Sequence, residues 1–233
     1  MPNKPLLAFD VGGTTIKYAL LTPELTLEQT GSVPTNKNKD GQILKTLLEL
    51  SQKFSHKYEL AGIGISTAGI VASDGSIQYA GPTILDYQGT PLKARLEEAT
   101  GLLVFVVNDV DAALLGEAVL GAAKNAKSAY CVALGTGIGG AYLANGQLAS
   151  GAHGTANSLG YTLFCPKTQT NFEQRASTLS LEAKLAPFDL SVKEGFELAK
   201  AGQEPYLSLL KAWAKEVAQG LSNILLLFEP EVL

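Results

Sequence analysis

The 233-residue sequence has little of several things that mark particular protein classes. It has two cysteines, Cys131 and Cys165, too few for a disulfide framework, and a reducing cytoplasm is the expected location. It has two histidines, His56 and His153, and Cys165 has no neighbouring thiol, so the soft ligands of a zinc site are missing. No apolar run is long enough to span a bilayer, and Met1–Pro5 lacks the apolar stretch of a signal peptide. No basic run occurs either. With 18 basic and 22 acidic residues the net charge is −4, which argues against nucleic acid and an anionic membrane surface as partners. Strand-like sequence begins at Leu6, so no DNA-reading helical domain is expected ahead of it.

What the chain does have is apolar material and glycine. Hydrophobic residues make up 46% against 17% charged, a globular composition with enough for one large or two small cores. The 24 glycines gather where predicted strands end. Residues 5–10 read as a buried strand ending in an acid, Thr15–Leu21 as its hairpin partner, and Leu25–Val33 as a third strand before a polar loop over 34–41. Ile43, Leu47, Leu50 and Phe54 fall on one face of a helix over Asp40–Lys57. Leu60–Ser66 and Leu102–Val107 read as buried strands, with a helix over Pro91–Thr100 between them that Gly101 ends. A helix over Asp111–Ala123 and a strand over Ala129–Leu134 follow. Asn145-Gly146 turns a hairpin between 141–144 and 147–149. Leu207, Leu210, Ala214, Val217, Leu221, Ile224 and Phe228 form one stripe of a final helix over 205–228, which Pro230 stops. Glu231–Leu233 reads as the start of a strand. Alternating strands and helices mean an α/β fold.

Four segments at strand ends can carry chemistry. Asp10-Val11-Gly12-Gly13-Thr14-Thr15-Ile16-Lys17 is either a hairpin turn with a capping acid or a turn whose N–H groups hold a phosphate, with Asp10 holding Mg²⁺ through water. Gly135-Thr136-Gly137-Ile138-Gly139-Gly140, again at a strand end, is alone weak evidence for a phosphate turn and fits a plain hairpin as well. Two such turns together suit a cleft closing on a polyphosphate. Asp109, after Asn108, is either a helix cap or a general base that takes a proton from a hydroxyl, and Asn108 is suited to orienting sugar hydroxyls. Ser66-Thr67-Ala68-Gly69 offers small hydroxyls and open backbone to a polar ligand, or is only a turn.

In this order these segments resemble the ROK (repressor, ORF, kinase) family, over nearly the whole chain. Asp10–Lys17 and Gly135–Gly140 look like its two phosphate motifs, Asn108–Glu117 its catalytic segment, and Ser66–Gly69 with Gly81–Thr90 its sugar-side loops. The resemblance implies the two-lobed ASKHA fold, actin-like and hexokinase-like, with an N-terminal lobe over 1–112 and a C-terminal lobe over 113–233. It implies an ATP- and Mg²⁺-dependent sugar kinase, similar to glucokinases and N-acetylmannosamine kinases, that phosphorylates a hexose or N-acetylhexosamine at O6. Asp109 would be the catalytic base and Asp10 would place the magnesium. Gly12, Gly13, Thr14, Lys17, Gly135, Thr136 and Gly137 would line the phosphate path, and Asn108, Gly69 and Ser158 would face the sugar. A homodimer is implied as well.

Three departures from the family pattern stand out. Ser158 and Tyr161 occupy positions where the family carries a sugar-binding Glu and a zinc-binding His. Cys165–Gln174 replaces the cysteine-rich zinc loop, so no zinc is expected. The chain stops at Leu233, where the family continues with a strand and a nucleotide-contacting turn, so the nucleotide side is expected to be incomplete. The lost Glu and the short C-terminus favour the alternative reading, a non-catalytic sugar sensor without a DNA-binding domain; the missing zinc loop alone does not argue against a kinase. An acetate-kinase-like phosphotransferase of the same fold is a third reading.

Overall fold

A computed structural model describes residues 4–81 and 84–233; Pro82 and Thr83 of the expected sugar-side loop lie outside the described residues. The chain divides into two compact units, residues 1–112 with 152–154, and residues 113–151 with 155–233.

The first unit is built on a five-stranded sheet. Its elements are β1 (Leu6–Val11), β2 (Thr15–Leu21), β3 (Leu27–Pro34), α1 (Gln42–Lys57), β4 (Gly62–Thr67), the short pair β5 (Ile70–Val71) and β6 (Ile77–Tyr79), α2 (Leu92–Thr100) and β7 (Val104–Asn108). Spatial order is β3-β2-β1-β4-β7. The first three strands are antiparallel, and β1, β4 and β7 run parallel. Alternation along β1 buries Leu7, Phe9 and Val11. They pack with Ile63, Ile65 and Val104 of the neighbouring strands, and with Ile43 and Leu47 of α1 and Leu92 and Leu96 of α2. Burying each such side chain stabilises the unit by about 1.5–3 kcal/mol.

α3 (Asp109–Leu120) carries the chain into the second unit. There β8 (Ser128–Leu134), β9 (Ile138–Ala144) and β10 (Gln147–Leu148) form an antiparallel sheet in the order β10-β9-β8. Val232 forms a single parallel bridge to Ala129 of β8, all that forms of the strand expected over Glu231–Leu233. Four helices follow: α4 (Phe172–Ala176), α5 (Thr178–Leu185), α6 (Val192–Lys200) and α7 (Tyr206–Phe228). Tyr130, Ile138, Phe172 and Ile224 form one core, and Leu181, Leu185, Ala199 and Leu210 a second.

The structure corrects several expected boundaries. Within the polar loop, residues 36–38, Asp40 and Gly41 take positive φ and Lys39 is extended, so α1 starts at Gln42 rather than at Asp40. β3 starts at Leu27, since Leu25 has φ 63°. α3 runs over 109–120 rather than 111–123. Ala214, expected in the buried stripe of α7, is exposed, whereas Gly220 is buried against the Phe172 ring.

Candidate active site

β1, β4 and β7 end side by side at their carboxyl ends, the place where α/β sheets present ligand groups. Register decides which side chains meet there. Asp10 pairs with Ser66 and Ser66 with Val107; one residue on, Val11 pairs with Thr67 and Thr67 with Asn108. Asp10 lies on the opposite face of β1 from the buried Leu7, Phe9 and Val11. Ser66 Oγ donates to Asp10 Oδ1 at 3.2 Å. Lys17, which faces Asp10 across the hairpin, brings Nζ to 3.6 Å from Oδ2 while half of the Asp10 side chain (50%) stays exposed.

Asn108 is tied to backbone at both ends. Its Nδ2 donates to the Gly69 carbonyl at 2.8 Å, and its Oδ1 accepts from the Val110 N–H at 2.9 Å. It therefore caps α3 and fastens the Ser66–Gly69 turn to the helix start. Asp109 Oδ1 also accepts from the Val110 N–H, at 3.0 Å, but the helix has this cap without it. Burial pushes the Asp109 carboxyl above the usual aspartate range, and the charge of Asp10 adds to this; hydrogen bonds from Val110 and Asn108 oppose it. Asp111 is raised too, by burial first and then by the charge of Asp109. A carboxylate with raised proton affinity is what removal of a hydroxyl proton requires.

Gly69 has φ 104°, and a Cβ there would lie 2.4 Å from the Tyr79 carbonyl oxygen, so only glycine fits. Beneath this turn the fully buried Thr67 hydroxyl meets the Tyr87 hydroxyl at 2.9 Å. Burial pushes the Tyr87 phenol up to about 12.

In the first glycine turn, the Gly12 N–H donates to Thr15 O at 2.9 Å and the Thr35 N–H to Thr14 O at 2.9 Å. Among the described residues, the N–H groups of Gly13 and Thr14 have no acceptor. In the second unit, the Gly135–Gly140 turn repeats the arrangement. The Gly135 N–H donates to Gly137 O at 3.0 Å, the Thr178 N–H to Gly135 O at 2.9 Å, and the Ile138 N–H to Glu173 Oε2 at 3.1 Å. Thr136 and Gly137 are left with N–H groups that have no acceptor among the described residues. Adjacent unpaired N–H groups in a turn form an anion-binding nest.

Ser158 Oγ donates to the Thr155 carbonyl at 2.7 Å, and Tyr161 is 65% exposed. His56 Nδ1 lies 2.7 Å from Gln52 O on the helix surface. Among the described residues no group of three His, Cys, Asp or Glu side chains converges as metal ligands. Three supporting residues were not singled out from sequence: Thr35, Tyr87 and Glu173. Glu173 lies 35 residues from the N–H it accepts, a relation no local spacing reveals.

The ROK family model matches residues 6–233. The chain belongs to the ROK family. A glucokinase of Halalkalibacterium halodurans is 36% identical over 173 residues, which cover 72% of this chain and 52% of that protein. The ROK hexokinase of Thermus thermophilus superposes with a TM-score of 0.83 at 29% identity, covering 98% of this chain and 80% of that one. A ROK family glucokinase of Streptomyces griseus, solved with glucose and AMPPNP, gives a TM-score of 0.77 at 27% identity over 98% and 82% of the two chains. The α/β fold of this ROK protein is thus of the ASKHA type.

Proposed function

We propose that this ROK protein is an ATP-dependent sugar kinase that phosphorylates a hexose or an N-acetylhexosamine at O6. The observation that carries the reading is Asp109: an accessible residue whose carboxylate has raised proton affinity and feels the charge of Asp10, on a helix that Asn108 already caps. Asp109 takes the proton of the sugar hydroxyl as that oxygen attacks the γ-phosphorus and ADP leaves. The N–H groups of Gly13, Thr14, Thr136 and Gly137 receive phosphate oxygens, with Gly12 and Gly135 shaping the turns and Lys17 adding positive charge. Asn108, Gly69 and Ser158 face the sugar. Such chemistry rests on positioning and charge neutralisation.

Asp10, half exposed and close enough for its charge to act on Asp109, fits Mg²⁺ held through water, because that ion keeps several waters and uses one or two carboxylates. Magnesium would supply neutralisation of phosphate charge. The glucose and AMPPNP bound by the S. griseus relative support both substrates. A cytoplasmic homodimer is part of the same reading. A non-catalytic sugar sensor is the second reading, favoured by the Ser158 hydroxyl being engaged with the Thr155 carbonyl. The test is ADP release with ATP, Mg²⁺ and a panel of hexoses and N-acetylhexosamines. Sugar-dependent release establishes the kinase and names its acceptor. Sugar-induced stabilisation without release selects the sensor.

A further inference from the structure

We infer that Thr35 is a positioning residue for the first glycine turn, whose buried hydroxyl holds the Gly13 carbonyl and so aims the Thr14 N–H at a bound phosphate. The inference rests on the phosphate-binding reading of that turn. Thr35 stands just past β3 and is fully buried, at 0% exposure. Its Oγ1 donates to the Gly13 carbonyl at 2.8 Å. The carbonyl of Gly13 and the N–H of Thr14 belong to one planar trans peptide, in which they point in opposite directions. Holding the carbonyl inward on Thr35 therefore turns the Thr14 N–H outward. A second bond, from the Thr35 N–H to Thr14 O at 2.9 Å, fixes the next peptide plane.

Thr35 is itself anchored. The Asn38 N–H donates to Thr35 O at 2.8 Å. Asn38 is 2% exposed, and its side chain accepts from the Ile43 N–H at 3.0 Å and donates to Leu85 O at 2.8 Å. The donor direction at Thr14 is thus set by a chain of hydrogen bonds, made by the buried side chains of Thr35 and Asn38, from the start of α1 and the loop at Leu85. Valine matches threonine in shape but leaves the Gly13 carbonyl unpaired and its peptide free to rotate. Serine keeps the hydroxyl.

The test is titration calorimetry of MgATP against the wild type, Thr35→Val and Thr35→Ser, with amide hydrogen exchange of the wild type with and without MgATP. Thr35→Val is expected to weaken MgATP binding by about 10- to 100-fold, the range of a hydrogen bond to a charged group. Thr35→Ser returns binding toward the wild-type value, and MgATP slows exchange at Thr14. Equal MgATP affinity in all three proteins, or Thr14 exchange that MgATP leaves unchanged while other amides slow, overturns the inference. Should Thr35→Val not fold, Thr35→Ser and the exchange measurement decide it. A wild type that binds no MgATP overturns the kinase reading together with this inference; binding that survives Thr35→Val overturns this inference alone.

Discussion

The carboxylates of Asp10 and Asp109, at the ends of β1 and β7, repel each other, and the Asp10 charge adds to the burial that lifts the proton affinity of Asp109. A base works only when deprotonated. The rate should therefore fall on the acid side at a higher pH than an ordinary aspartate would give. Asp10→Asn removes the repulsion but not the burial. In the free protein, without MgATP, the Asp109 carboxyl should then titrate lower than in the wild type yet stay above the usual aspartate range. A carboxyl NMR titration of both proteins checks this, and an unmoved Asp109 would count against the pairing.

Asp109→Asn separates catalysis from capping. Because the folded state raises this pKa, it binds more protons than the unfolded state between the unfolded and folded pKa values. Stability from this group is therefore fullest at low pH and falls as pH rises through that window. A neutral amide escapes the burial cost, and Asn108 still caps α3. Turnover should fall by about 10²- to 10⁴-fold, the span of general-base catalysis. The melting temperature at neutral pH should hold or rise. Thermal unfolding beside a rate assay checks both; a marked drop in melting temperature would instead make Asp109 a structural cap.

Much of this site was legible because its residues sit at strand ends marked by glycine. Asp10, Gly69 and Asn108-Asp109 each follow an apolar run, and parallel register brings those runs' ends together. α3 starts two residues before the expected Asp111 because Asn108, not a later residue, supplies its cap. Helices α4 and α6 went unread although Asn171-Phe-Glu-Gln174 and Ser191-Val-Lys-Glu194 form capping boxes. The β5–β6 pair escaped notice because strands so short carry no period, though Asp74-Gly75 marks their turn. Thr35 and Glu173 act on turns 22 and 35 residues away, which only the folded chain reveals.

Gly220 meets the Phe172 ring end-on: a Cβ there would lie 2.1 Å from Cζ of a side chain that is 1% exposed. Alanine gains roughly 1 kcal/mol of helix propensity. Overpacking a ring that has no room to move costs about 1–3 kcal/mol or more. The cost is expected to win, and Gly220→Ala should lower the denaturant midpoint.

Arg175 fastens the segment expected in place of the zinc loop. Its guanidinium donates to the carbonyls of Leu163, Thr170 and Asn171 at 2.8–2.9 Å and to Glu216 Oε2 at 2.9 Å, and its side chain is only 18% exposed. A lysine cannot reproduce that planar fork. Arg175→Lys should cost about 1–3 kcal/mol, the range for hydrogen bonds to a charged group, and sharpen proteolysis near Leu163–Asn171. Chelation with EDTA should leave the melting temperature unchanged; a fall on chelation would show that a metal holds this loop.

The central claim, that Asp109 is the base of a sugar kinase, is tested most directly by ADP release with MgATP and the best acceptor sugar, in the wild type and in Asp109→Asn, with sugar affinity measured on both. The account predicts sugar-dependent release in the wild type and its near-complete loss in Asp109→Asn, with sugar affinity retained. Release that persists in Asp109→Asn, or none from a folded wild type with any sugar, would contradict it.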